Sequence, residues 1–167
     1  ETDGAFSASI SELELEKPSD GFVQIQVSFS SLNYKDALSA SGNKGVTRNY
    51  PFVPGIDAAG TISDANSSNF VEGDEVLVTG YDMGMNTPGG FGEFINVPAN
   101  WVVKKPSALT SIEAMSIGTA GLTAAASVLK IYESSKESDL PVLVSGATGG
   151  VGSIGVMLMS KLDKDVT

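Results

Sequence analysis

The stretch VLVSGATGGVGSIGVMLMSKL, residues 142–162, constrains this chain more than any other. It opens on a continuous apolar run bounded by Pro141 and Gly146. It turns through Gly146, Gly149, Gly150 and Gly152, and continues with Ile154, Leu158 and Leu162 at helical spacing. A parallel strand buried on both faces reads as a near-continuous apolar run, and apolar residues every third or fourth position read as a helix. The three belong together for a physical reason. Glycines let the backbone pass close to a pyrophosphate, while the helix N-terminus presents unpaired N–H groups and a partial positive charge. In ATGGVG the first glycine of the usual G-x-G-x-x-G is replaced by Ala147. Alone, the pattern leaves two readings open: a dinucleotide turn, or a tight turn packing a helix on a sheet with no ligand.

Upstream the chain reads as β. In FVQIQVSFS, Val23, Ile25, Val27 and Phe29 alternate with Gln24, Gln26, Ser28 and Ser30, the period of a half-buried strand. AAGTIS, DEVLVTG, GEFINVP and WVVKKP are further short strands separated by turn-forming segments, which predicts a partly closed barrel or sandwich. Only NYKDALSAS interrupts them with a short helix. Near Ser107 the pattern changes. Thr110 or Ser111 is a helix N-cap, with Glu113 in the first turn, and GLTAAASVLKIYESS follows as a second helix. The chain is therefore β-rich first and α/β second, with a boundary at 107–117.

Composition excludes several chemistries. The 20 Asp and Glu residues against 10 Lys and Arg leave a net charge of −10, which argues against nucleic-acid and anionic-membrane partners. With no Cys and no His, disulfides, Cys/His zinc sites, cysteine nucleophiles and imidazole acid–base catalysis are all absent. No stretch reads as long and apolar enough to span a bilayer; the longest candidate, Ile117–Ile131, contains Lys130. The opening ETDGAFSAS lacks the basic start and apolar middle of a signal peptide. A cytoplasmic protein is the expectation.

The segments SSLNYKDALSASG, PFVPGIDAAGTI, FVEGDEVLVTG, GGFGEF, IGTAGLTAAAS and SGATGGVGSIGV occur in this order. Together they resemble the medium-chain dehydrogenase/reductase superfamily. Within it they resemble the zinc-free quinone oxidoreductases, nearest the branch of bacterial NADPH-dependent acryloyl-CoA reductases. The resemblance implies a GroES-like β barrel over residues 1–116, incomplete, followed by the first part of a Rossmann-type NADP-binding domain over 117–167, truncated. Chains of that family are about twice this length, because a dinucleotide crevice needs both halves of its sheet. The expectation is a fragment, with the run at Val142–Ser145 left short of strand partners. The implied activity is NADPH-dependent reduction of an activated C=C bond, with an acryloyl-CoA-like thioester as first substrate and a quinone as alternative. The implied assembly is a homodimer. A reading from another class is a non-catalytic NADP-binding sensor or structural protein.

The resemblance also assigns site residues. The three zinc-ligand positions of metal-dependent relatives correspond to Asn33, Ile56 and Thr119, an amide, an alkyl group and a hydroxyl, so no metal is expected. Asn33 reads either as the N-cap of the YKDALSA helix or as a contact to nicotinamide or substrate, and the two are compatible. Tyr34 is a packed aromatic or, as the resemblance implies, a cofactor-lining residue whose hydroxyl donates a hydrogen bond or relays a proton. Asp57 fixes a turn, or orients Lys35 or a polar network in the site. Lys35 and Asp36 otherwise read as a solvated helix face. Thr123, four residues after Thr119, packs a helix or contacts the nicotinamide ribose, and Thr148, Gly149, Gly150 and Val151 contact the pyrophosphate. Lys44 and Arg48 read as surface charge or as a contact for a CoA phosphate. The residue that separates NADP from NAD belongs about 20 positions past the turn, so NADPH rests on the resemblance alone.

Overall fold

The computed structural model of the protein describes residues 6–66, 68–135, 140–162 and 165–167. Two compact units emerge, Glu1–Ser116 and Ile117–Thr167.

The first unit is built on an antiparallel sheet of five strands, β1 (Phe22–Phe29), β2 (Asp57–Asp64), β3 (Glu75–Thr79), β4 (Phe94–Pro98) and β5 (Val103–Lys104), in the order β4-β1-β2-β3-β5. The two edge strands are consecutive in the chain, linked by a 3-10 turn at Ala99–Trp101, so the sheet curls toward closure. Alternation puts Val23, Ile25, Ile62, Val76, Val78, Ile95 and Val97 into one core. Burying each such side chain contributes about 1.5–3 kcal/mol. The expected β1 face holds for Val23 and Ile25 but not for Phe29, which is exposed. Its register against β2 shifts between Val27 and Phe29, and a bulge re-aims the side chains beyond it. The expected short helix is α1 (Tyr34–Ala40), inserted between β1 and β2.

Helix α2 (Ser111–Ser134) begins where the capping pattern placed it. Glu113 Oε2 accepts the Thr110 N–H and hydroxyl, each at 2.8 Å, while the Glu113 N–H donates to Thr110 Oγ1 at 3.2 Å. Its first turn lays Ala114 and Met115 against Ala59 and Leu77. Gly118, at φ 48° and ψ −157°, then interrupts the helical backbone, so α2 is two helices meeting at a kink, as the sequence predicted. By length and composition α2 is apolar enough to cross a membrane, with a mean hydropathy of 1.4 over 18 residues. This corrects the expectation that no stretch qualifies. The break leaves 119–134 as the longer segment, short of the ~20 continuous residues a span takes, and it buries Ala124 and Val128 within the protein.

In the second unit α3 (Gly150–Lys161) follows the glycine turn as expected, but a different face is buried. Gly155 and Met159 are the buried residues, whereas Ile154 and Leu158 are half-buried and Leu162 is exposed. The apolar run before the turn is not a full strand. It makes one parallel bridge, Val142 to Val166. The Val142 N–H donates to Asp165 O (2.8 Å), Thr167 N–H to Val142 O (3.0 Å) and Val144 N–H to Thr167 O (3.0 Å). The run therefore does have a backbone partner, contrary to expectation, but Leu143 stands 79 % exposed.

Candidate functional site

In the first unit the candidate residues converge where α1 meets the start of β2. Asp57, fully buried, is the first residue of β2. Its Oδ2 accepts the Asn33 side-chain N–H at 2.9 Å and the Ser31 hydroxyl, and its backbone carbonyl accepts the Ser30 hydroxyl at 2.5 Å. These contacts make Asp57 part of a polar network, one of the roles open to it. Asn33 occupies the N-cap position of α1, and its amide turns toward Asp57.

Asp36 is the correction here. It is no solvated residue but 3 % exposed. Its Oδ2 accepts the Asn33 backbone N–H at 2.8 Å and its Oδ1 accepts the Ile56 N–H at 3.0 Å. One carboxylate thus ties the residue that holds Asp57 to the residue that precedes it. The Asn33-x-x-Asp36 spacing, a capping-box pattern with the shorter acid, was the available signal. Ser30 and Ser31 were missed as well, since nothing in SSLN separates a buried hydroxyl from a turn residue.

Tyr34 is 80 % exposed, so it is not a packed core aromatic. Ile56 is buried and its side chain is an alkyl group, unable to ligate a metal. Lys44 lies over the rings of Phe6 and Tyr50, 5.2 and 4.9 Å from their centroids. Arg48 and Lys35 are exposed. Among the described residues no group of three or more Asp and Glu could hold a metal ion.

In the second unit the glycine turn borders a groove of about 590 Å³. Gly149, Gly150 and Val151 line it, together with Val142–Gly146 on one side and Ala124, Val128 and Met159 on others. Gly149 is the N-cap of α3, and Ser153 makes the first bond within the helix, to Gly149 O at 2.9 Å. The N–H groups of Gly150, Val151 and Gly152 therefore have no partner within the helix. The glycines serve different ends. A Cβ on Gly152 would fall 2.2 Å from Gly146 O, so the fold itself demands that glycine. A Cβ on Gly149 would meet only Gly146 O at 3.4 Å, at an ordinary φ of −81°. The fold therefore does not need Gly149 bare. Thr148 lies exposed in the turn, and the Thr123 hydroxyl donates to Thr119 O at 2.8 Å along its own helix.

Residues 19–107, more than half of the chain, match the alcohol dehydrogenase GroES-like domain. The chain belongs to that family. The alcohol dehydrogenase GroES-like match covers all of β1–β4, α1 and the Asn33–Asp57 network, and it bears out the resemblance read from the motifs. Over 150 residues the chain is 45 % identical to the putative quinone oxidoreductase YhfP of Bacillus subtilis, 89 % of this chain and 45 % of the relative. It is 42 % identical to the probable acrylyl-CoA reductase AcuI of Escherichia coli over 98 % of this chain and 51 % of the relative. The solved yhdH oxidoreductase of Salmonella enterica, in complex with NADP, matches with a TM-score of 0.91 and 42 % identity over 99 % of this chain and 52 % of that one. The chain spans about half the length of each of these three relatives.

Proposed function

We propose that the protein acts as a zinc-independent, NADPH-dependent oxidoreductase that reduces an activated C=C bond, with an acryloyl-CoA-like enoyl thioester as substrate. The observation that carries the reading is Gly149: beside the first N–H groups of α3 its missing Cβ leaves a place bordered, within 4 Å, by Gly146 O alone. A dinucleotide pyrophosphate fits there, and the NADP complex of the Salmonella relative supports the choice. Residues 1–116 would form the catalytic domain and 117–167 the beginning of the nucleotide-binding domain.

When bound, the nicotinamide supplies the hydride for the β-carbon. The chain's own residues do the rest. Gly149, Gly150 and Val151 receive the pyrophosphate on backbone N–H groups, with the Thr148 hydroxyl beside them, and Thr123 contacts the nicotinamide ribose. Asn33, its amide oriented by Asp57, would hold the reacting groups, and the exposed Tyr34 would line the cofactor, with the proton for the α-carbon coming from its hydroxyl or from solvent. Asn33, Ile56 and Thr119 leave no ligand set for zinc. The protein would work in the cytoplasm as a homodimer on a small molecule, without nucleic-acid or membrane partners.

A quinone is the second reading, favoured by the Bacillus relative, a putative quinone oxidoreductase. NADPH oxidation is followed with acryloyl-CoA and with a small quinone, using this chain joined to the part of the E. coli relative that the match leaves uncovered. Faster turnover with acryloyl-CoA is expected; a reverse preference establishes the quinone reading. NADPH binding without oxidation by either acceptor makes the protein a non-catalytic NADP binder. Stoichiometric zinc in elemental analysis, with activity lost on its removal, would overturn zinc independence, and a sedimentation mass of one chain would overturn the homodimer.

A further inference from the structure

Two described residues other than glycine take a positive φ: Asn66 at 37° and Tyr81 at 54°. Asn66 is accounted for, because asparagine tolerates this region and its amide donates to Pro18 O (3.0 Å) and Ser19 O (2.6 Å). A tyrosine there is a genuine outlier. Gly80 and Gly84, on either side of it, supply glycine where the same loop needs left-handed backbone. Tyr81 keeps a ring instead. That ring stacks on Trp101, centroids 4.8 Å apart and planes within 2°, and is still 57 % exposed. Strain held at an exposed side chain is the pattern of a ligand contact rather than of a core.

The position favours the same conclusion. Thr79 pairs with Asp57, and the Gly80 N–H donates to Ile56 O at 2.8 Å, so Tyr81 leaves the sheet beside the Asn33–Asp57 network. With one face of Tyr81 laid on Trp101, its open side offers a third ring the same offset-stacked geometry. We infer that the Tyr81–Trp101 pair is a stacking platform for a planar π ring of the substrate. The ring is that of a quinone or the adenine of a CoA thioester. The inference rests on the proposed reductase reading for its choice of ligands but concerns binding alone.

Trp101 is the only tryptophan in the sequence, so its emission reports on this site directly. The chain is titrated, without NADPH, with menadione and separately with coenzyme A. Saturable quenching by one of them is expected and identifies the source of the ring. Tyr81→Phe should keep that affinity, and Tyr81→Gly should weaken it about tenfold, ~1.4 kcal/mol, within the worth of one ring stacked on an aromatic side chain. Glycine suits the left-handed backbone, so Tyr81→Gly should melt no lower than Tyr81→Phe and its binding loss is not unfolding. Quenching that rises linearly without saturation for both probes overturns the platform, as does equal affinity in Tyr81→Gly. If binding saturates while no acceptor drives NADPH oxidation, the platform stands and the reductase reading falls.

Discussion

The Asn33 side-chain nitrogen lies 2.9 Å from Asp57 Oδ2, joining the start of α1 to the first residue of β2 across 24 positions of sequence. The contact matters because Asp57 is fully buried, and a buried carboxylate is stable only while its oxygens have donors. Ser31 supplies a second donor to the same oxygen. The arrangement gives Asn33 one orientation at the point where the site is proposed to meet its ligands.

Asn33→Ala should cost about 2 kcal/mol of unfolding free energy, the price of taking a hydrogen bond from a buried charged acceptor. Asp57→Ala should cost a similar amount. The double variant should cost at least ~0.5 kcal/mol less than the sum, because both singles break the same bond. Urea unfolding of the four proteins gives the coupling; additive losses would remove the contact from any account of stability.

Asp36→Ala should be more damaging than either, at about 3 kcal/mol, since it orphans two N–H groups at once, the buried one of Ile56 and the half-buried one of Asn33. Asp36→Asn keeps one acceptor oxygen and should recover part of the loss. If alanine and asparagine prove equal and mild, water replaces the carboxylate and the clamp is not real.

The parts of this fold legible in the sequence are those governed by one local rule. The alternation of Val23 and Ile25 follows from the pleat, and the Thr110–Glu113 cap follows from helix-end chemistry. Phe29 broke the rule because a bulge is set by the partner strand. Asp36 was read as solvent-facing because an acid between a lysine and an alanine carries no sign of the backbone N–H groups that fold onto it. The buried face of α3 was also set non-locally. Gly152 presses on Gly146, and residues three and seven further along that face are Gly155 and Met159, not the larger Ile154 and Leu158. In the site, Asn33 and Asp57 were found through the family pattern, whereas the serines beside them were not.

Hydrogen bonds from the Thr110 N–H and hydroxyl hold the Glu113 carboxyl below its ordinary value of 4.5. A group whose folded-state pKa is lowered stabilises the fold above its unfolded value, and that contribution is lost as pH falls through the folded one. The melting temperature of Glu113→Gln should therefore trail that of the parent most near neutrality. The gap should close as pH falls from 4.5 toward the lowered value. Thermal melts across about pH 6 to pH 3 check this; a constant gap would mean that the cap works through hydrogen bonding alone.

The glycine turn gives the sharpest separation between fold and function, because two of its glycines should fail in opposite ways. Gly152→Ala places a methyl 2.2 Å from Gly146 O and 2.9 Å from Ala147 Cα, both backbone atoms that cannot turn aside. The turn must open, at a cost of about 2 kcal/mol or more from overpacking alone. Gly149→Ala places its methyl 3.4 Å from Gly146 O, an ordinary contact, with no left-handed backbone to strain. Its stability should stay within about 1 kcal/mol of the parent, since only an N-cap preference is at stake. The same methyl stands where a pyrophosphate would approach the N–H groups of Gly150 and Val151, so NADPH affinity should fall about tenfold or more, ~1.4 kcal/mol. Calorimetric titration of NADPH alongside a thermal melt reads both quantities from one preparation. A Gly149→Ala protein that melts normally and binds NADPH as the parent does would leave the turn a packing device, and the cofactor would have to be sought elsewhere.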